Sequence, residues 1–93
     1  DKMPKYMIER NIPGVGSQST EQLRAGAQAS NDALSTLAPR VQWQQSFVTA
    51  DKIYCVYIAD DERAVREHAE LSGFPADRVN PVAAVLDPAS AEG

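Results

Sequence analysis

The chain has 93 residues, which suffices for one domain with a thin core and not for two. It is 43% hydrophobic and 24% charged, so it folds rather than staying disordered, and its net charge of −4 offers no basic stripe for nucleic acid. No apolar run reaches the roughly 20 residues of a membrane span, and one cysteine, Cys55, excludes an internal disulfide and fits a reducing, cytoplasmic compartment.

Asp1 and Lys2 precede Met3 and read as a tag remnant, so the domain is expected to span residues 3–88. KYMIER, residues 5–10, alternates and is rich in strand formers. Tyr6, Ile8 and Arg10 share one face, and Met7 and Glu9 share the other. Pro13, Gly14 and Gly16 then make a long loop. GVGSQST has glycines ahead of a helix but lacks the lysine and spacing of a phosphate loop. Ser19 or Thr20 caps a helix over about 21–37, with Leu23, Ala27, Ser30 or Asn31, Leu34 and Leu37 on its inward stripe. Pro39 ends it.

VQWQQSFVT, residues 41–49, is a second strand, with Val41, Trp43, Gln45, Phe47 and Thr49 expected on one face. IYCVYIA, residues 53–59, is a third, apolar on both faces and therefore central. Asp60 or Asp61 caps a second helix that Gly73 closes. NPVAAVLDP, residues 80–88, holds a fourth strand, and residues 89–93 form a frayed tail. The order β-α-β-β-α-β is that of a ferredoxin-like α+β fold: a four-stranded antiparallel sheet with both helices on one face. Met7, Trp43, Phe47, Cys55 and Tyr57 are expected together on the open face. An apolar patch there implies a homodimer whose two sheets close a barrel.

Three polar groups stand out as candidate metal ligands. His68, the single histidine, lies on the inward stripe of the second helix beside Val65 and Ala69. It is either a satisfied core imidazole or a ligand or acid–base group. Glu9 needs a cation if it faces a barrel interior, whether a basic side chain or a metal. Cys55 is either an inert apolar thiol or a soft donor for nickel, copper or zinc. Trp43, Phe47, Tyr57 and Met7 are the expected pocket or interface residues. No H-x-x-x-H, C-x-x-C or ordered Ser/His/Asp set is present.

MPKYMIERNIPGVG, VQWQQSFVTADKIYCVYIADDE, REHAELSGFPADRV and VLDP resemble a family of short bacterial proteins grouped as a domain of unknown function and described as nickel-binding-protein-like. The resemblance runs from Met3 to Pro88. It implies a dimeric ferredoxin-like α+β barrel, and a nickel ion bound by at least some members. The expectation is thus a small homodimeric nickel-binding protein with His68, Glu9 and Cys55 as ligands. The alternative is a small-molecule enzyme, monooxygenase- or isomerase-like, with the barrel interior as its pocket.

Overall fold

Alternation of apolar and polar residues near the N-terminus produces the first strand, β1, Lys5–Asn11. The computed structural model describes residues 3–92, so the expected tag remnant at 1–2 lies outside it. Next come helix α1 (Thr20–Leu37), strands β2 (Val41–Val48) and β3 (Lys52–Ala59), helix α2 (Glu62–Ser72) and strand β4 (Arg78–Pro81). The sheet order is β2-β3-β1-β4, all neighbours antiparallel, which is the expected ferredoxin-like arrangement.

Local chemistry sets the helix ends. Ser19 and Gln22 form a reciprocal capping box at α1, satisfying two orphan donors. Asp61 accepts from the Ala64 N–H at the start of α2. Gly73 ends α2 at φ 79°, a left-handed conformation that glycine adopts without steric cost.

Both helices cover the face bearing Tyr6, Ile8 and Arg10. Register then decides which side of β3 joins it. Tyr6 faces Tyr57 and Ile8 faces Cys55, so Cys55 and Tyr57 lie under the helices and not on the open face as expected. The apolar run of β3 offers no alternation to orient it, so only pairing with β1 sets its faces.

β2 brings a second correction. A bulge between Trp43 and Gln45 inserts one residue, and the side-chain alternation inverts across it. Trp43 pairs with Tyr57 on the helix side, whereas Phe47 pairs with Tyr54 on the open side. Trp43 and Phe47 therefore do not share a face. The open side carries Met7, Glu9, Phe47, Tyr54, Val56 and Ile58.

β4 lies earlier than expected: it starts at Arg78, two residues ahead of the expected 80–88 segment, and ends at Pro81, the residue expected at its beginning. The Val82 N–H reaches the Lys5 carbonyl, and there β1 begins. Residues 83–87 have no strand to pair with and run on with Val85 and Leu86 exposed.

The loop after β1 packs on the β2–β3 turn. The Gly16 N–H donates to the Ala50 carbonyl, and a Cβ at residue 16 would stand 2.7 Å from Ala50 Cα and Thr49 O. Backbone atoms cannot step aside as side chains do. Gly16→Ala should therefore destabilise the fold by about 1–3 kcal/mol, as overpacking does elsewhere. Urea unfolding measures this, and an unchanged midpoint would mean that the loop lifts off freely.

Candidate functional site

Between α1 and the sheet lies a cavity of about 210 Å³. Its walls are mainly apolar, with Ile12 and Val15 from the loop, Leu23 and Ala27 from α1, Val48 and Ile53 from the hairpin and Phe74 beyond α2, while the exposed Gln18 and Gln22 stand at the rim. Small residues on α1 make the space. Gly26 and Ala27 stand where larger side chains would fill it, and a Cβ on Gly26 would already lie 3.1 Å from the Phe74 ring.

The floor is polar. Arg10, Cys55, Tyr57, Ser30, Ser46 and Trp43 all contribute to it. Arg10 is 2% exposed, because alternation places it in line with Tyr6 and Ile8 under the helices. Its Nη1 donates to the Pro75 carbonyl at 2.6 Å, its Nε to Cys55 Sγ at 3.4 Å and its Nη2 to the Tyr57 hydroxyl at 3.4 Å. The guanidinium carbon lies 5.7 Å from the Phe74 ring centre and 6.0 Å from that of Tyr57. Ser46 donates to Cys55 Sγ at 3.0 Å and accepts from Trp43 Nε1 at 2.9 Å. The bulge in β2 allows this, since it puts Trp43 and Ser46 on the same side.

His68 lies behind the floor and does not line the cavity. It is fully buried on α2, with Nε2 3.1 Å from Ser30 Oγ and its ring centre 4.9 Å from that of Tyr57. Its Nδ1 is the one buried side-chain nitrogen or oxygen left without a partner among the described residues. A proton on Nε2, donated to Ser30, leaves a bare lone pair on Nδ1. That costs less than an orphaned N–H. Burial lowers the His68 pKa, and the Arg10 charge lowers it further, while Ser30 pulls the other way. Burial also raises the Tyr57 phenol, opposed by Ser30 and by the Arg10 charge.

The expected metal ligands do not converge. Glu9 lies across the sheet from His68, where its carboxylate pairs with Lys52 Nζ at 2.6 Å. Cys55 is buried and already accepts from Arg10 and Ser46. Among the described residues no three His, Cys, Asp or Glu side chains gather closely enough to hold a metal ion. The Arg10 charge beside Cys55 further disfavours a cation there. The helix-side donors of this chain do not fit nickel.

Arg10 is the site residue that sequence reasoning passed over. Its signal was present, since it follows Tyr6 and Ile8 at period two. A basic residue on a buried stripe is as informative as a buried histidine.

Residues 6–82 match the family model for nickel responsive protein SCO4226-like. A crystal structure of SCO4226 from Streptomyces coelicolor A3(2) superposes with a TM-score of 0.75 at 21% identity, over 88% of this chain and 99% of that one. A REP-associated tyrosine transposase bound to a REP hairpin gives a TM-score of 0.59 at 14% identity, over 99% of this chain and 62% of that one. At these identities both likenesses show the fold alone. No curated protein matches the chain.

The buried imidazole gives a pH prediction. The unfolded His68 titrates near 6.5 and the folded one lower, so folding favours the neutral ring. Its stabilising contribution is complete above about pH 6.5 and is lost as the pH falls through the folded value. Denaturation midpoints should begin to drop as the pH falls below about 6.5. His68→Gln should flatten that slope, and an equally steep variant would remove His68 as its source.

Proposed function

The chain belongs to the SCO4226-like family, and on that footing we propose that it is a homodimeric ligand-binding protein whose small-molecule site is the cavity under α1. The observation that carries the reading is the cavity's construction. It is a cleft open to solvent on the side of Gln18, Gln22 and Val48, not a sealed packing void. Its volume is about 210 Å³, with mainly apolar walls and a cluster of polar groups at one end. Ligand pockets share that composition. An enzyme of the monooxygenase or isomerase type would use this cavity in place of the expected barrel interior, with Tyr57 as the proton-bearing group that lines it. His68 would act only through Ser30.

Hexanol, hexanoate and phenol are suitable probes for a site of this size. At least one should raise the melting temperature of the protein. A ligand at 100 times its Kd adds about 2.7 kcal/mol. Leu23→Trp, which narrows the cavity from the α1 wall, should weaken or abolish the response. If no probe acts on the wild type, or if Leu23→Trp responds equally, the cavity is not a binding site.

Nickel forms a second reading, favoured by the family's description. Two copies meeting through their open sheet faces would enclose Met7, Tyr54, Ile58 and the half-exposed Phe47, and with them Glu9. Nickel would then sit between subunits on Glu9 carboxylates released from Lys52, and not on His68. Calorimetry should show nickel binding that Glu9→Gln loses and His68→Ala keeps. Sedimentation should show a dimer that Phe47→Asp converts to the 10.1 kDa monomer. Loss of nickel in a folded His68→Ala would return the metal to the helix side. A wild-type monomer would remove the site altogether.

A further inference from the structure

We propose that the cavity's ligand is a monocarboxylate with a compact apolar body, its carboxylate seated on Arg10. The inference rests on the cavity being a binding site and adds the chemistry of what it takes.

Arg10 is a buried cation without a buried anion. The ion pairs among the described residues involve Arg40, Lys52 and Arg66, and none reaches Arg10. Its neighbour in sequence, Glu9, faces the other side of the sheet. A guanidinium has five N–H donors. Three are engaged, by the Pro75 carbonyl, Cys55 Sγ and the Tyr57 hydroxyl. One hydrogen on each terminal nitrogen is left over, and a carboxylate can accept from both nitrogens of such a fork at once. The Phe74 and Tyr57 rings lie near the guanidinium and temper its charge without neutralising it.

The rest of the cavity selects the body of the molecule. No acidic residue lines it, so a cationic ligand finds no partner. Arg10 is its only basic residue, which suits a single negative charge better than a phosphate dianion. Leu23, Val48 and Ile53 favour an apolar body, and Gln18 and Gln22 are the neutral polar residues of the lining outside the Arg10 cluster. A space of about 210 Å³ fits a short-chain fatty acid or a phenyl-substituted acid. Ser46 and Tyr57 beside the guanidinium can hydrogen-bond a carboxylate oxygen by turning their hydroxyls.

The test compares hexanoate with hexanol, which has the same chain and no charge, by calorimetry at neutral pH. Hexanoate should bind the wild type at least tenfold more tightly. Arg10→Gln should erase that preference while keeping the alcohol's affinity. Should Arg10→Gln fail to fold, the wild-type nitrogen–proton spectrum decides. The Arg10 Nε–H signal should move with hexanoate and stay in place with hexanol. Equal affinity for acid and alcohol would overturn the carboxylate assignment and leave the cavity a binding site. An Arg10 signal that is unmoved by bound hexanoate would overturn it likewise. Failure of both compounds to bind would overturn the cavity reading and this one together.

Discussion

The guanidinium of Arg10, held out of water on the helix side of β1, is the constraint to which the interior of this protein answers. A buried charge without a carboxylate is tolerated only where other groups solvate it. Here a main-chain carbonyl, a thiol and a phenol do so, flanked by two aromatic rings. They come from two places: Pro75 and Phe74 follow α2, while Cys55 and Tyr57 lie on β3. The charge thus ties the end of α2 to the centre of the sheet, and it makes one end of the cavity polar. It also acts on His68, whose ring is kept neutral by burial with the Arg10 charge assisting.

A single extra residue in β2 shapes the cavity as much as the charge does. Without the bulge, Trp43 and Phe47 would alternate onto one face, and Ser46 would point away from Cys55. With it, Trp43 and Ser46 turn inward and hydrogen-bond above the thiol, while Phe47 turns outward. One irregularity therefore furnishes both sides of the sheet. It supplies Trp43 to the cavity floor and an exposed aromatic ring, Phe47, to the open face.

Those two sides carry different chemistry. The helix side holds a positive charge, neutral hydroxyls and an apolar cavity, a setting suited to an organic anion. The open side holds apolar residues around the Glu9–Lys52 pair, a setting suited to a second copy or to a cation at the carboxylate. A metal set drawn from Glu9, Cys55 and His68 would have to cross the sheet. The sheet's own backbone occupies that path.

The amino-acid sequence by itself determined the element order, the start of each helix to within one residue, the inward placement of His68 and the central place of β3. These follow from local rules: capping chemistry, helical periodicity and the covering that an apolar run requires. It also carried the burial of Arg10, through its alternation with Tyr6 and Ile8. Only the tertiary structure decided which side of β3 faces the helices. Period-two alternation cannot orient a strand that is apolar on both faces, so pairing with β1 decides. The bulge after Trp43 was equally hidden, because nothing in VQWQQSFV marks where a ladder slips by one residue. The end of β4 at Pro81 depended on where its partner begins. That partner lies some 75 residues earlier in the chain, and a strand ends where its neighbour's hydrogen-bonding groups end.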